Sequence, residues 1–211
     1  NKKKRIGFYS ERLKIDSSVL RDRYKIIENL DRDKFTVFII VSECEQTFDK
    51  NVKGNFSQDF YKQCKNEFIF LPRSLNKSRK IIDFLELDIL VYCEIGMEYK
   101  PYLLSFSRLA PKQINTWGHS ETSGINTIDY FISSSLYEKD DAQKYYSEKL
   151  VLCGSLCTSY PDLGKIINKF TFKTKDDLGY KDNNIYCCLQ ASFKVSLIME
   201  DIFAKLLEID Q

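Results

Sequence analysis

The chain has 211 residues, of which 43% are hydrophobic and 14% aromatic. These apolar side chains are enough for the core of one large domain, or of one domain and part of another, and they exclude disorder over most of the length. The 32 basic and 30 acidic residues leave a net charge of +2. A generic nucleic-acid-binding protein has a strong basic excess, so we expect no nucleic-acid partner.

The sequence also argues against membrane and metal-binding classes. No run approaches eighteen apolar residues, and no apolar segment follows the basic start, residues 1–5, so neither a membrane span nor a signal peptide is expected. The seven cysteines include no C-x-x-C pair and there is a single histidine, which argues against a zinc site. Cys93, Cys187 and Cys188 lie in apolar, strand-like runs, where a thiol packs as a small core side chain. We therefore expect a reduced, cytoplasmic protein that binds no membrane and no metal.

Strand-like and helix-like segments alternate from the start of the chain. Lys4–Tyr9 and residues 35–41 are expected to be strands, joined by a helix that Ser17 or Ser18 caps and that runs to about Leu30. Residues 35–41 form a nearly unbroken apolar run, which is typical of a strand covered on both faces in a parallel sheet.

The same alternation continues to residue 153. Further strands are expected at residues 67–71, 88–93, 113–117, 128–132 and 149–153. Further helices are expected at residues 56–65, 74–85, 102–109 and 137–146. Strands and helices that alternate at this spacing predict a doubly wound, Rossmann-like α/β fold with a parallel sheet.

One polar loop, residues 118–124, separates two of the expected strands. It holds the single histidine of the chain, His119, together with three hydroxyl side chains and a glycine at each end. Glycines allow the backbone to approach a ligand closely, and loops at the carboxyl ends of strands bind ligands in α/β sheets. An ordinary surface turn has a similar composition, because its polar residues cap backbone groups, so the residues by themselves leave both interpretations open.

The last fifty residues differ in character from the rest. Residues 158–183 contain a proline, two glycines and many lysines, and they indicate a linker between a first domain, residues 1–157, and a second that begins at residue 184. A strand is expected at residues 184–190 and a helix at residues 196–208. One strand and one helix cannot bury their own apolar faces, so residues 184–211 are expected to start a larger second domain or to dock on the first.

Three runs of the sequence resemble the O-GlcNAc-transferase-like family of glycosyltransferases. The runs are Arg108-Leu-Ala-Pro-Lys-Gln113, Trp117-Gly-His-Ser-Glu-Thr-Ser-Gly124 and Ile128-Asp-Tyr-Phe-Ile-Ser-Ser134, in the order and at the spacing of that family. The likeness extends to residues 6–10, 31–37, 88–97 and 146–150. Two departures are visible: Ser120 stands where the family usually has proline, and residues 16–18 lack the histidine that many relatives carry in the first loop.

The resemblance implies a GT-B architecture, in which two Rossmann-like domains face each other across the donor site. Residues 1–157 then form the acceptor-side lobe, and residues 184–211 are the start of an incomplete nucleotide-sugar-binding lobe. The implied reaction moves a hexose or N-acetylhexosamine from a UDP-sugar to a Ser/Thr or Asn side chain of a protein, with inversion and without a metal. We expect no cofactor. If the chain is a fragment, we expect the rest of the C-terminal lobe to be its partner, and we expect these 211 residues to have little activity by themselves.

The candidate site residues come from both implied lobes. Gln190-Ala-Ser-Phe-Lys194 resembles the family's Q-x-x-[FY]-K segment, in which glutamine and lysine meet the donor nucleotide. A helix N-terminus and the Lys194 ammonium both favour the negative charge that develops on a diphosphate leaving group. An exposed lysine at the start of a helix is also common without any function. His119 is expected to approach the acceptor hydroxyl, the sugar or the donor phosphates, as a general base or by positioning alone. Thr122 and Ser123 are expected to donate hydrogen bonds to sugar or phosphate oxygens.

A non-catalytic binding module that keeps the fold is the alternative to an enzyme. The histidine-free first loop, Ser120, and Ser196-Leu197, where many bacterial relatives have His-Pro, favour this alternative. The retained histidine, glutamine and lysine of the candidate site favour the enzyme. An unrelated nucleotide-binding protein is disfavoured, because neither a G-x-G-x-x-G motif nor a P-loop follows the first strand.

Overall fold

The computed structural model describes residues 2–13, 17–42, 64, 67–160, 171–180 and 184–210. Its centre is a seven-stranded parallel sheet with the strand order β3-β2-β1-β4-β5-β6-β7. The strands are β1 Lys4–Tyr9, β2 Phe35–Ser42, β3 Phe68–Leu71, β4 Ile89–Tyr92, β5 Lys112–Thr116, β6 Tyr130–Ser134 and β7 Lys149–Cys153. The predicted doubly wound, Rossmann-like α/β fold is confirmed.

Among the described residues, three of the four α-helices begin next to a serine that caps them. These helices are α1 Ser18–Glu28, α2 Leu75–Phe84, α3 Tyr99–Ser105 and α4 Leu197–Ile209. The capping residues are Ser17, Ser74 and Ser196, and each accepts a hydrogen bond from a backbone N–H group in the first turn. Such a cap satisfies one of the four N–H groups that a helix start leaves without an internal partner. The predicted helix at residues 56–65 lies outside the described residues.

Two hydrophobic clusters form on the two faces of the sheet. Consecutive residues of β2 belong to different clusters: Ile39 packs with Leu20 and Ile27 of α1, and Ile40 packs with Ile82 of α2. Because neighbouring side chains of a strand point to opposite faces, α1 covers one face and α2 covers the other. This double cover explains why the β2 sequence is an almost unbroken apolar run.

The predicted helix at residues 137–146 is wrong, since this segment contains only the short 3-10 helix Ala142–Tyr145. Within that 3-10 helix Ala142 is the single buried side chain, so no apolar stripe holds a longer helix on the sheet. Side chains tie the segment down instead. The Gln143 amide donates to Glu148 O at 2.9 Å and its oxygen accepts from Leu150 N at 2.9 Å.

The chain divides into two compact units, Asn1–Leu163 and Gly164–Gln211, and the first contains the whole sheet. In the second unit, helix α4 forms as predicted, but residues 184–190 form no strand, so that prediction is wrong. A strand needs a neighbour to bond its backbone groups, and the described part of this unit offers none. The predicted division into lobes stays a prediction.

The three cysteines that were predicted to pack in the core differ between the two units. Cys93 is 0% exposed and packs in the core as expected, but Cys187 and Cys188 are exposed, because the strand predicted to bury them does not form. No helix in the described part of the chain has the length and apolar character that crossing a bilayer requires.

Candidate functional site

The candidate site lies at the carboxyl edge of the sheet, where β1 and β4 are neighbours. From β1 the chain crosses over to β2 and β3 on one side, and from β4 it continues to β5, β6 and β7 on the other. In open α/β sheets such a switch in strand order opens a crevice at the carboxyl ends of the strands, and ligands bind there. Three loops meet at this point: residues 10–13 after β1, residues 93–98 after β4, and residues 117–124 after β5.

The loops after β4 and β5 are in direct contact through two glycines. Gly118 N donates to Cys93 O at 3.2 Å, and a Cβ atom at position 118 would lie 2.2 Å from that oxygen and 2.9 Å from Glu94 Cβ. Gly96, with a φ of +104°, faces the imidazole, and a Cβ atom there would lie 3.5 Å from Cγ and Nδ1 of His119. The missing side chains therefore let the histidine loop lie directly on the neighbouring loop.

His119 is half-buried, and its Nδ1 atom accepts a hydrogen bond from Glu121 N at 3.4 Å. A neutral imidazole whose Nδ1 is an acceptor carries its proton on Nε2. In this tautomer Nε2 donates a hydrogen bond and cannot accept a proton. The two roles that the sequence leaves open for His119, general base and positioning, stay predictions.

Thr122 and Ser123 hold a buried carboxylate. The Thr122 hydroxyl donates to Glu148 Oε2 at 2.6 Å, Ser123 N donates to Glu148 Oε1 at 2.9 Å, and the Ser123 hydroxyl also bonds Oε1. Burial raises the pKa of the Glu148 carboxyl, but the donors from Ser123 and Thr122 outweigh it and bring the pKa below its ordinary value. Both hydroxyl protons are thus engaged within the protein. Their donation to sugar or phosphate oxygens stays a prediction. It requires the two hydroxyls to give up their hydrogen bonds to Glu148 and to form new ones to the ligand.

Lys194 and Gln190 belong to the second unit. Lys194 is exposed at the end of the 3-10 helix Ser192–Lys194, two residues before Ser196, the capping residue of α4. The Gln190 side chain accepts a hydrogen bond from Ala191 N at 3.0 Å. The first unit thus contains His119, Thr122 and Ser123, and the second contains Gln190 and Lys194.

Glu94 is a site residue that the sequence prediction missed. It is 0% exposed, and its Oε1 atom accepts from the Ser10 hydroxyl at 2.8 Å and from Glu11 N at 3.1 Å. Its Oε2 atom is buried without a hydrogen-bond partner. Burial raises the pKa of this carboxyl to about 7, against the lowering effect of Ser10. Its signal in the sequence is an acidic residue two positions after the apolar strand β4, where a ligand-facing group is expected.

Arg23 is a second residue that was missed, and it supports the site from the α1 face of the sheet. It is 3% exposed and donates to Cys93 O at 2.9 Å and to Thr116 Oγ1 at 3.0 Å. Its guanidinium lies 4.4 Å from the centre of the Trp117 ring, and it pairs with Asp22. Position 23 lies three residues after the buried Leu20, so helical periodicity places it on the buried face of α1.

The described residues contain no group of three or more His, Cys, Asp or Glu side chains placed to hold a metal ion.

The likeness of this chain to known proteins lies in its fold. No family model matches the chain, and no curated protein matches it. Among solved structures, a mutant of the Thermobaculum terrenum O-GlcNAc transferase matches with a TM-score of 0.58 and 18% sequence identity over 74% of this chain. The fold is glycosyltransferase-like. The chain spans 29% of the length of that transferase, and at this identity the likeness concerns the fold alone.

Proposed function

We propose that this chain belongs to a glycosyltransferase that moves a hexose or N-acetylhexosamine from a UDP-sugar to a Ser/Thr or Asn side chain of a protein. The transfer inverts the configuration at the anomeric carbon of the sugar and needs no metal ion. The observation that carries the proposal is the His119 loop, seated on the β4 loop at the carboxyl edge of a glycosyltransferase-like sheet. A histidine Nε2–H at that edge is a hydrogen-bond donor for an oxygen of the donor or acceptor.

In this proposal the second unit binds the diphosphate of the donor. The leaving group is UDP, and negative charge develops on its diphosphate as the glycosidic bond breaks. The Lys194 ammonium and the N-terminus of α4 stabilise that charge, and Gln190 contacts the nucleotide. The first unit, which contains His119, binds the polypeptide acceptor.

Calorimetric titration of UDP into the full-length protein tests the donor site. Lys194→Ala is expected to weaken UDP binding about ten- to a hundredfold, because a hydrogen bond from a charged group contributes about 1.5–3 kcal/mol. Lys205→Ala is the matched control, since Lys205 is another exposed lysine, on α4 itself. Equal UDP affinity in the Lys194→Ala variant and the parent would remove Lys194 from the donor site.

A non-catalytic binding module remains the second candidate, and the engaged hydroxyls of Thr122 and Ser123 favour it. A site whose hydroxyls already bond a buried carboxylate has fewer groups ready for a substrate. The two candidates differ in a transfer assay with a labelled UDP-sugar and a Ser/Thr-containing peptide. The enzyme releases UDP and labels the peptide, whereas the binding module binds UDP by calorimetry and labels nothing.

A further inference from the structure

A small cavity of about 120 Å³ lies next to the candidate site, on the β1–β2 side of the crevice. It is formed by the carboxyl ends of β1 and β2, the turn after β3, and the start of α3. The residues that line it are Glu11, Ser42, Arg73, Glu98, Tyr99 and Lys100. None of these residues has a role in the function proposed above.

Hydrogen bonds fix the floor of this cavity. The Ser42 hydroxyl donates to Glu11 Oε1 at 2.6 Å, and Tyr9 donates to the same oxygen at 2.7 Å. Lys100 is 6% exposed, and its ammonium donates to the Ser42 hydroxyl and to Pro72 O at 2.9 Å. A floor built from polar groups that bond one another keeps its shape without a ligand, which lowers the cost of binding one.

The charges around the cavity favour a neutral ligand. Its lining contains two carboxylates, Glu11 and Glu98, and two cations, Arg73 and Lys100, so the formal charges of the lining cancel, and Glu98 is also paired with Arg12. An anion would face both carboxylates, and a cation would face the guanidinium and the ammonium. A hydroxyl group both donates and accepts hydrogen bonds, so a ligand with several hydroxyls matches a lining that contains both donors and acceptors.

Two groups at the rim are ready to contact a ligand. Within the described ranges the Arg73 guanidinium has no hydrogen-bond or ion-pair partner, although it lines the cavity. The Tyr99 side chain is 75% exposed and offers an aromatic face together with a hydroxyl. An aromatic face packs on the apolar face of a ring, while its polar end stays in contact with water.

The size of the cavity matches one edge of a sugar ring. A water molecule takes up about 30 Å³ in the liquid, so the cavity of about 120 Å³ has room for about four water-sized groups. The hydroxyl groups along one edge of a hexose can enter it, and the rest of the ring lies outside against Tyr99.

We propose that this cavity is a binding subsite for one neutral, hydroxyl-rich sugar ring, separate from the UDP-binding residues. Arg73, Glu11 and Glu98 bond the hydroxyls, and Tyr99 covers one face of the ring. The subsite does not depend on the proposed transfer reaction, since its residues lie outside the groups assigned to that reaction.

Saturation-transfer NMR on the full-length protein tests the subsite, with the methyl glycosides of glucose and of N-acetylglucosamine as the sugar probes. We expect both glycosides to bind, and Arg73→Ala and Tyr99→Ala each to raise the Kd about tenfold. Tyr145→Ala is the matched control, because Tyr145 is 62% exposed in the same unit and lies outside the cavity. Tyr99→Phe keeps the aromatic face and is expected to keep most of the affinity.

Three results would overturn the subsite. They are the absence of sugar binding, sugar binding that Arg73→Ala and Tyr99→Ala leave unchanged, and tighter binding of inorganic phosphate than of the glycosides. Saturating UDP and the Lys194→Ala variant separate this test from that of the donor site, since neither is expected to change glycoside binding. Circular dichroism checks that each variant is folded, and Arg73→Lys replaces Arg73→Ala if the latter is not.

Discussion

Glu94 and Glu148 are two buried carboxyls whose surroundings move their pKa values in opposite directions. Burial raises the pKa of both, but donors from Ser123 and Thr122 reach both oxygens of Glu148 and bring its pKa below the ordinary value. Glu94 receives its two donors on one oxygen, so burial dominates and raises the pKa to about 7. Glu94 therefore changes charge near neutral pH, which is common for carboxyls at functional sites.

The raised pKa of Glu94 gives the fold a specific pH dependence. The folded protein holds this proton more tightly than the unfolded chain, so stability falls as pH rises from the ordinary carboxyl value to about 7 and then levels off. Ionisation of Glu94 lowers the free energy of unfolding by about 3 kcal/mol between pH 5 and pH 8, since one pKa unit corresponds to about 1.4 kcal/mol. Urea unfolding followed by the fluorescence of Trp117, the single tryptophan, measures this change.

Glu94→Gln is the matching variant, because its amide oxygen still accepts from Ser10 and Glu11 but it does not titrate. Between pH 5 and pH 8 we expect the free energy of unfolding to change by about 3 kcal/mol less in this variant than in the parent protein. The same pH dependence in the variant and the parent would show that another group is responsible.

The tautomer of His119 leads to a prediction about catalysis. If Nε2–H donates to a ligand oxygen, Gln at this position keeps a donor and Ala does not. His119→Ala is expected to lower kcat about 10²–10³-fold, as loss of a preorganised donor does, and His119→Gln is expected to lower it about tenfold. The measurement is peptide glycosylation at saturating UDP-sugar. Equal loss in both variants would instead indicate general-base catalysis, which an amide cannot perform.

Single residues of the site differ in how visible they are in the sequence. His119 stands out because it is a lone histidine between glycines in a polar turn. Glu94 and Arg23 do not stand out, because charged residues are mostly solvent-exposed and only their three-dimensional surroundings bury them. The bonds from Thr122 and Ser123 to Glu148 join residues about 25 positions apart, and spacing along the chain does not indicate such contacts.

At the scale of elements, the contact between the β4 and β5 loops depends on the absence of a side chain. We expect Gly118→Ala to lower the free energy of unfolding by about 3 kcal/mol, because its Cβ would lie 2.2 Å from Cys93 O, a backbone atom that cannot rotate away. Gly154→Ala is the control, since no atom lies within 4 Å of a Cβ there, and its effect should stay within about 0.5 kcal/mol. Equal effects in urea unfolding would show that the loops can separate.

Elements were predictable where their apolar pattern is supported by a neighbour. Strands β1 and β7 match the predicted limits, α1 is capped by Ser17 as predicted, and α2 lies within the predicted range, residues 74–85. The pattern misleads at two segments. Residues 184–190 are apolar enough for a strand but have no described neighbour to pair with, and residues 137–146 have helical spacing but bury one small side chain in their 3-10 turn.

At the scale of the whole molecule, the class of fold could be predicted, but the order of the strands could not. Alternating strands and helices predict a parallel sheet. The order β3-β2-β1-β4-β5-β6-β7, which creates the crevice, depends on which side of β1 each later strand joins. No single segment of the sequence encodes that choice.

The division into two units leads to a prediction for the isolated first unit. All seven strands and both hydrophobic clusters lie within Asn1–Leu163, so a chain ending at residue 163 is expected to unfold cooperatively by Trp117 fluorescence. It should not bind UDP, since Gln190 and Lys194 are absent from it. An unfolded product would show that the sheet requires residues beyond 163.

The loops that form the crevice between β1 and β4 are also part of the core, since Leu13 and Cys93 belong to one hydrophobic cluster and Ile95 belongs to the other. Substitutions at these three positions are therefore expected to disturb the sheet as well as the crevice.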